Sequence, residues 1–247
     1  MANDLIKISN LSKRFDKLVV LDDVSLSVTQ GENLVVFGQS GTGKSVLLKC
    51  FIGLLKPEKG EILYKNQKLL DLTIKELNEI RKKLGFLFQG AALYDSMSVR
   101  ENLEFPLKRH FDLSQTEVDE KVSSTLSLVS LEGAIDKMPS ELSGGMKKRI
   151  GLARAIITDP ELMLYDEPTT GLDPITAKEI SKLILDLQKK LSMTSMVVTH
   201  DLICAKIIAD RAIFLSNGKI VFEGNIEELS KSNDPFLMNF YSDELID

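Results

Sequence analysis

Gly38, Gln39, Ser40, Gly41, Thr42, Gly43, Lys44 and Ser45 fill every position of the phosphate-loop pattern G-x-x-x-x-G-K-[ST]. Glycines at these spacings let the backbone curl so that several N–H groups face one anion. Lys44 can then reach the β and γ oxygens of a nucleotide, Ser45 can offer its hydroxyl to Mg²⁺, and Val46 extends the loop's contacts. A second acidic anchor appears in "LMLYDEP", where Asp166 ends an apolar run and is suited to hold Mg²⁺ through water. Its neighbour Glu167 faces another way along a strand and is placed to position an attacking water or to act as general base. His200, after "TSMVVT", ends another apolar run and is assigned to contact and sense the γ-phosphate; Gln89, closing "GFLFQ", is assigned to the metal or the water. His110 lies in a polar stretch and receives no role.

A further anion-binding pattern lies about a hundred residues beyond the loop. In "ELSGGMKKRI" Ser143 reads as a helix cap, Gly144 and Gly145 bare the backbone, and a basic helical run follows. Two anion sites so far apart are economical if two copies of the chain face each other head to tail. Each "LSGGM" helix start then caps the γ-phosphate held by the other copy, making ATP the glue of a symmetric dimer.

The elements that must hold these residues follow from the hydrophobic pattern. "NLVVF" (33–37) is nearly all apolar, the apolar residues of "ELMLYDE" are continuous rather than alternating, and "TSMVVTH" reads likewise, as expected of strands buried on both faces. A helix over 45–55 follows the phosphate loop. Val118, Val122, Leu126 and Val129 form a stripe at helical spacing, and Ile180, Leu183, Ile184, Leu187 and Leu191 form another. Short β-like runs fill 5–29. Strands alternating with helices predict an α/β sheet with a parallel core, interrupted by a helical insertion at about 90–158. From about residue 225 the chain changes to a tail bearing Phe236, Leu237, Phe240 and Tyr241, which are expected to dock on a partner.

Bulk properties narrow the class. The chain of 247 residues is 43% apolar and 27% charged, enough to bury a core as one domain. A net charge of −5 argues against broad binding to nucleic acid. Cys50 and Cys204 sit in apolar, helix-like stretches and read as packing residues of a reducing compartment. No run of 18 apolar residues exists, and "MANDLIKISN" lacks the pattern of a signal peptide, so the chain is expected neither to cross nor to enter a membrane by itself.

Taken together, Phe15, the phosphate loop, Gln89, "LSGGM", "YDEP" with "GLDP", and His200 stand in the order that resembles the nucleotide-binding subunits of ABC transporters, over roughly residues 4–230. The resemblance implies a RecA-like P-loop core with an antiparallel β subdomain and a helical subdomain. It implies that Phe15 stacks on adenine, that Gln89 couples the Mg²⁺ site to the membrane partner, and that Ser143, Gly144 and Gly145 are the signature. It further implies that Asp173 belongs to the loop linking the two sites and that His200 is the switch histidine. Met146 stands where glutamine is commonest and Phe15 where tyrosine is frequent; neither change removes a catalytic group.

"FQGAALYDSMSVRENLEFPL", "ELSGGMKKR" and "NDPFLMNFY" are similar to the ATPases of MCE-associated lipid transporters, the Mla type. That likeness implies a homodimeric ATPase, peripheral on the cytoplasmic face of a bacterial inner membrane. Its implied partners are integral-membrane permease subunits and an MCE-domain lipid-binding protein, with no nucleic acid. Tyr94, Met97 and Val99 are the candidates to line the permease-docking groove; the alternative is that they pack within the helical subdomain. Import of a polar solute is the alternative. A soluble ATPase acting on nucleic acid or ribosomes sits poorly with the acidic charge, and a P-loop kinase has no use for "LSGGM".

Overall fold

The computed structural model of the chain describes residues 4–230. The four tail residues named above therefore lie outside the described residues. In chain order the elements are β1 (Asp4–Phe15), β2 (Leu18–Thr29), β3 (Asn33–Phe37), α1 (Lys44–Phe51), β4 (Lys59–Tyr64), β5 (Gln67–Lys68), α2 (Ile74–Arg81) and β6 (Leu84–Leu87). There follow α3 (Val99–His110), α4 (Gln115–Leu128), α5 (Gly144–Ile156), β7 (Leu162–Asp166), α6 (Pro174–Leu191), β8 (Thr194–Thr199), α7 (Leu202–Ile208), β9 (Arg211–Ser216), β10 (Lys219–Gly224) and α8 (Ile226–Ser230). They form two compact units, one built from 4–78 with 194–230 and the other from 79–193.

The first unit holds two sheets. β2-β1-β4-β5 is antiparallel throughout, and β10-β9-β3-β8 has β3 parallel to both β8 and β9. All five residues of β3 and all six of β8 are buried, which explains the consecutive apolar residues at 34–37 and 196–198; the buried Asn33, Thr194, Ser195 and Thr199 lie at the strand ends. Each fully buried Val, Leu or Phe there contributes about 1.5–3 kcal/mol. Arg211, at the start of β9, fastens this unit: its Nε donates to Glu32 Oε1 at 2.7 Å, and its other nitrogens reach Ser27 O and Glu223. The helix after the phosphate loop is shorter than the expected 45–55. It stops at Phe51 because Gly53 N, Leu54 N and Leu55 N turn back onto the carbonyls of Cys50 and Lys49. Cys50 and Cys204 are both buried and unbridged, and burial pushes the Cys50 thiol up to about 11, as suits a packing residue.

The second unit pairs β6 with β7 in parallel, Leu87 opposite Tyr165. The helices α3, α4 and α5 fall inside the stretch read as an insertion. The α4 stripe is buried as its spacing requires, at Val118, Val122 and Leu126. Ser98 and Ser114 start α3 and α4 with capping boxes closed by Glu101 and Glu117, each of which holds its carboxyl below the usual range by hydrogen bonds from its serine. On α6 the buried face is Ile180, Ile184 and Leu187, again at helical spacing.

Candidate functional site

In the first unit, β3 delivers the phosphate loop directly into α1. A side chain at Gly38 is excluded, because a Cβ there would sit 2.3 Å from Leu215 O and its φ is 157°. Lys44 is only 5% exposed, and its Nζ donates to Gly38 O at 2.6 Å and to Gln39 O at 3.1 Å. The ammonium is thus folded over the loop's own carbonyls. Gln39, Ser40 and Gly41 are exposed, while Ser45 and Val46 are half-buried at the helix start. No side chain caps α1, so its first turn presents backbone N–H groups in the manner of anion-binding helices.

Phe37 pairs with Thr199 across parallel β3 and β8, so Gly38 and His200 leave the sheet at the same end. His200 is half-buried, immediately before α7, whose first turn is capped by Asp201 through Ile203 N at 2.8 Å and Cys204 N at 2.9 Å. Phe15 ends β1 with its ring 42% exposed and Lys13 Nζ 5.2 Å from its centroid. An exposed ring at the mouth of a hairpin has a face left for stacking.

In the second unit, Asp166 closes β7 and Glu167 follows it, at 7% and 8% exposure. Glu167 has φ 52°, an uncommon left-handed backbone for a non-glycine residue. Thr170 Oγ1 donates to its carboxylate at 3.3 Å. Gln89 lies two residues beyond the end of β6 rather than closing it, in an exposed turn. Asp166 and Ser45 both supply hard oxygen donors, the ligand type that suits Mg²⁺.

Ser143 caps α5 as its sequence position requires, accepting from Met146 N at 3.3 Å. Gly145 is there for close approach: a Cβ would lie 2.7 Å from Thr176 Cγ2 of α6. Asp173 caps α6 by accepting from Ile175 N and Thr176 N, and the Thr176 hydroxyl beside it holds its carboxyl below the usual range. Ser143, Gly144, Gly145 and Asp173 therefore line one open cavity of about 410 Å³. The structure brings this set together although its members lie in two separate motifs.

Two residues given no individual role in the sequence analysis organise the rest of this unit. Lys148 on α5 is 5% exposed and donates to the carbonyls of both Gln89 and Glu167. Burial pushes its ammonium down to about 8, opposed by the nearby Glu167 and Asp166 carboxylates. Arg154, one and a half turns on, donates to Ala91 O at 2.9 Å and Ala92 O at 2.8 Å and lies over the Tyr94 ring. The one sequence signal was periodicity: Lys148 shares a helical face with the buried Gly151 and Leu152.

The expected groove residues divide. Tyr94 lines a cavity of about 450 Å³ with Phe86, Phe88 and Phe105 and the cations Arg81 and Arg154. Met97 lines a different cavity, beside Glu101 and Lys108. Val99 lines neither; it is fully buried at the start of α3, where its N–H is held by Lys137 O at 2.8 Å. Its place in the groove is corrected on that ground. Asn102 fixes the loop between them, accepting from Tyr94 N at 2.8 Å and donating to Met97 O and Ser98 O at 3.0 Å, with no exposure. Replacing Asn102 by alanine orphans those buried backbone groups, and we expect a loss of about 2–3 kcal/mol in urea unfolding. A loss below about 0.5 kcal/mol would mean that the loop is held by other contacts.

A family model described as "ABC transporter" matches residues 21–170. The chain is 41% identical over 244 residues to the "Intermembrane phospholipid transport system ATP-binding protein MlaF" of Haemophilus influenzae, covering 99% of this chain and 92% of that one. It is also 41% identical over 235 residues to the "Probable ribonucleotide transport ATP-binding protein mkl" of Mycobacterium tuberculosis, covering 95% of this chain but spanning only 66% of that relative's length. Among solved structures, a dimeric ATP-binding cassette in a post-hydrolysis state bound to ADP and Pi superposes with a TM-score of 0.81 at 33% identity, covering 90% of this chain and 98% of that one.

Proposed function

The chain belongs to the ABC transporter family, and from that premise we propose that it is the ATP-hydrolysing motor subunit of a transporter that moves phospholipid between membranes. The observation that carries the reading is the pairing of a complete phosphate loop, with Lys44 seated over its carbonyls, and a signature helix capped by Ser143 beside Asp173. The loop from Gly38 to Val46 holds the phosphates of ATP and Phe15 stacks on its adenine. Ser45, Asp166 and Gln89 would hold Mg²⁺, which would supply charge neutralisation at the phosphates. Glu167 positions the attacking water and His200 senses the γ-phosphate. Two copies close on two nucleotides, the Ser143–Gly145 signature of each meeting the phosphate held by the other, and hydrolysis removes the group that joined them. The dimeric state of the superposing cassette supports this arrangement.

Motion then passes through the Gln89 segment to permease subunits, with the aromatic cavity at Tyr94 as the docking groove. Among the described residues no helix is long and apolar enough to cross a membrane. The chain works on the cytoplasmic face of a bacterial inner membrane as one cassette, with a helical subdomain at about 90–158 and a C-terminal tail. An MCE-domain protein is the lipid-binding partner, and the route serves outer-membrane lipid asymmetry.

Phospholipid cargo is favoured by the MlaF relative, which matches nearly end to end. Carriage of a polar solute has one specific support, the ribonucleotide in the name of the mycobacterial relative. The two are separated by recovering the tagged chain from native membranes in mild detergent and identifying co-purifying proteins and lipids by mass spectrometry. A permease, an MCE-domain protein and enriched phospholipid would uphold the lipid reading. A permease with a soluble solute-binding protein and no lipid enrichment would move the cargo to a polar solute.

A further inference from the structure

We propose that Lys148 is a positioning residue for the hydrolytic step, fixing the backbone of Glu167 and of the Gln89 turn from the helix that begins at the signature. The inference rests on the ATPase reading above. A lysine is seldom buried without partners, and Lys148 at 5% exposure has two, the carbonyls of Gln89 and Glu167. These acceptors come from the ends of two neighbouring strands: Leu87 pairs with Tyr165, so the segments carrying Gln89 and Glu167 leave β6 and β7 at the same end. One ammonium straddles both exits.

The contact bears on chemistry because of the backbone at Glu167. At φ 52° a non-glycine residue persists only where its surroundings over-determine it. Here the Glu167 carbonyl accepts from Lys148 Nζ at 3.1 Å and from Thr170 N at 3.3 Å. Holding that carbonyl restrains rotation about the Glu167 Cα–C bond, and with it the backbone from which the Glu167 side chain extends. Lys148 sits one turn into α5, whose first residues follow the Ser143 cap. A ligand that draws the signature end of α5 toward itself therefore pulls on the acid and on the Gln89 turn through one side chain. Methionine at 148 would keep the stem and remove both bonds.

The test compares wild type, Lys148→Met and Lys148→Arg as full-length chains in ATPase assays well below their unfolding temperatures. Amide exchange at 88–92 and 167–170 is measured alongside without nucleotide. With Lys148→Met we expect kcat to fall about tenfold or more, KM for ATP to stay within about twofold, and exchange to rise at both segments. Arginine keeps a cation with several donors and should recover most of the turnover. A kcat equal to wild type in Lys148→Met would overturn the proposal. So would a natively melting Lys148→Arg that is as slow as Lys148→Met. If Lys148→Met does not fold, Lys148→Arg decides alone: wild-type-like turnover with protected segments upholds the role, and turnover reduced tenfold or more with unchanged exchange sinks it. A wild type that hydrolyses no ATP would instead refute the ATPase reading itself.

Discussion

Glu167→Gln is expected to bind ATP as tightly as wild type, accumulate as a closed dimer and hydrolyse about 10²–10⁴-fold more slowly. The substitution preserves volume and the hydrogen bond from Thr170 while removing the negative charge that orients and activates water. Since Glu167 is 8% exposed, bulk solvent offers no ready substitute for that carboxylate. Binding should survive because no phosphate contact is assigned to this side chain. Gel filtration with and without ATP reads the dimer, and single-turnover release of phosphate reads the chemistry. Normal turnover in this variant would remove Glu167 from its role and direct attention to His200.

Lys44→Met should abolish useful nucleotide binding. Methionine fills the stem's space, so the loop keeps its packing and loses only the ammonium. That ammonium donates to Gly38 O and Gln39 O of the loop, and it is the group assigned to the phosphate oxygens. A hydrogen bond from a charged donor contributes about 1.5–3 kcal/mol. With about 1.4 kcal/mol per tenfold, loss of two such bonds to phosphate oxygens weakens affinity by about 10²–10⁴-fold. Titration of the variant with ATP by calorimetry measures this directly. Affinity unchanged from wild type would show that the loop's backbone N–H groups suffice and that Lys44 serves the loop's own carbonyls alone. Unlike Glu167→Gln, this variant should show no ATP-dependent dimer, so the two separate binding from hydrolysis.

The chain's own sequence determined the parts whose chemistry is local. Residues 38–45 match the phosphate-loop pattern in one unbroken run, because the groups such a loop uses are consecutive backbone amides and the two side chains beside them. Ser143 as a cap was legible for the same reason: a cap and the N–H it accepts are three residues apart. The buried strands β3, β7 and β8 were legible because burial on both faces favours consecutive apolar residues, 34–37, 162–165 and 196–198, over alternation.

Tertiary structure alone decided which distant groups meet. Lys148 looked like one cation in a basic run, and its acceptors lie 59 and 19 residues away in sequence. Val99 could be read as a groove residue or as packing and proved to be core, because α3 begins at that residue and turns it inward. Asp173 and the signature share a cavity only because Gly145 lets α5 approach the first turn of α6. A local pattern declares the chemistry a segment can do. Burying a charge, or joining two motifs at one site, depends on partners supplied by the packing of remote segments, which no short window of sequence contains.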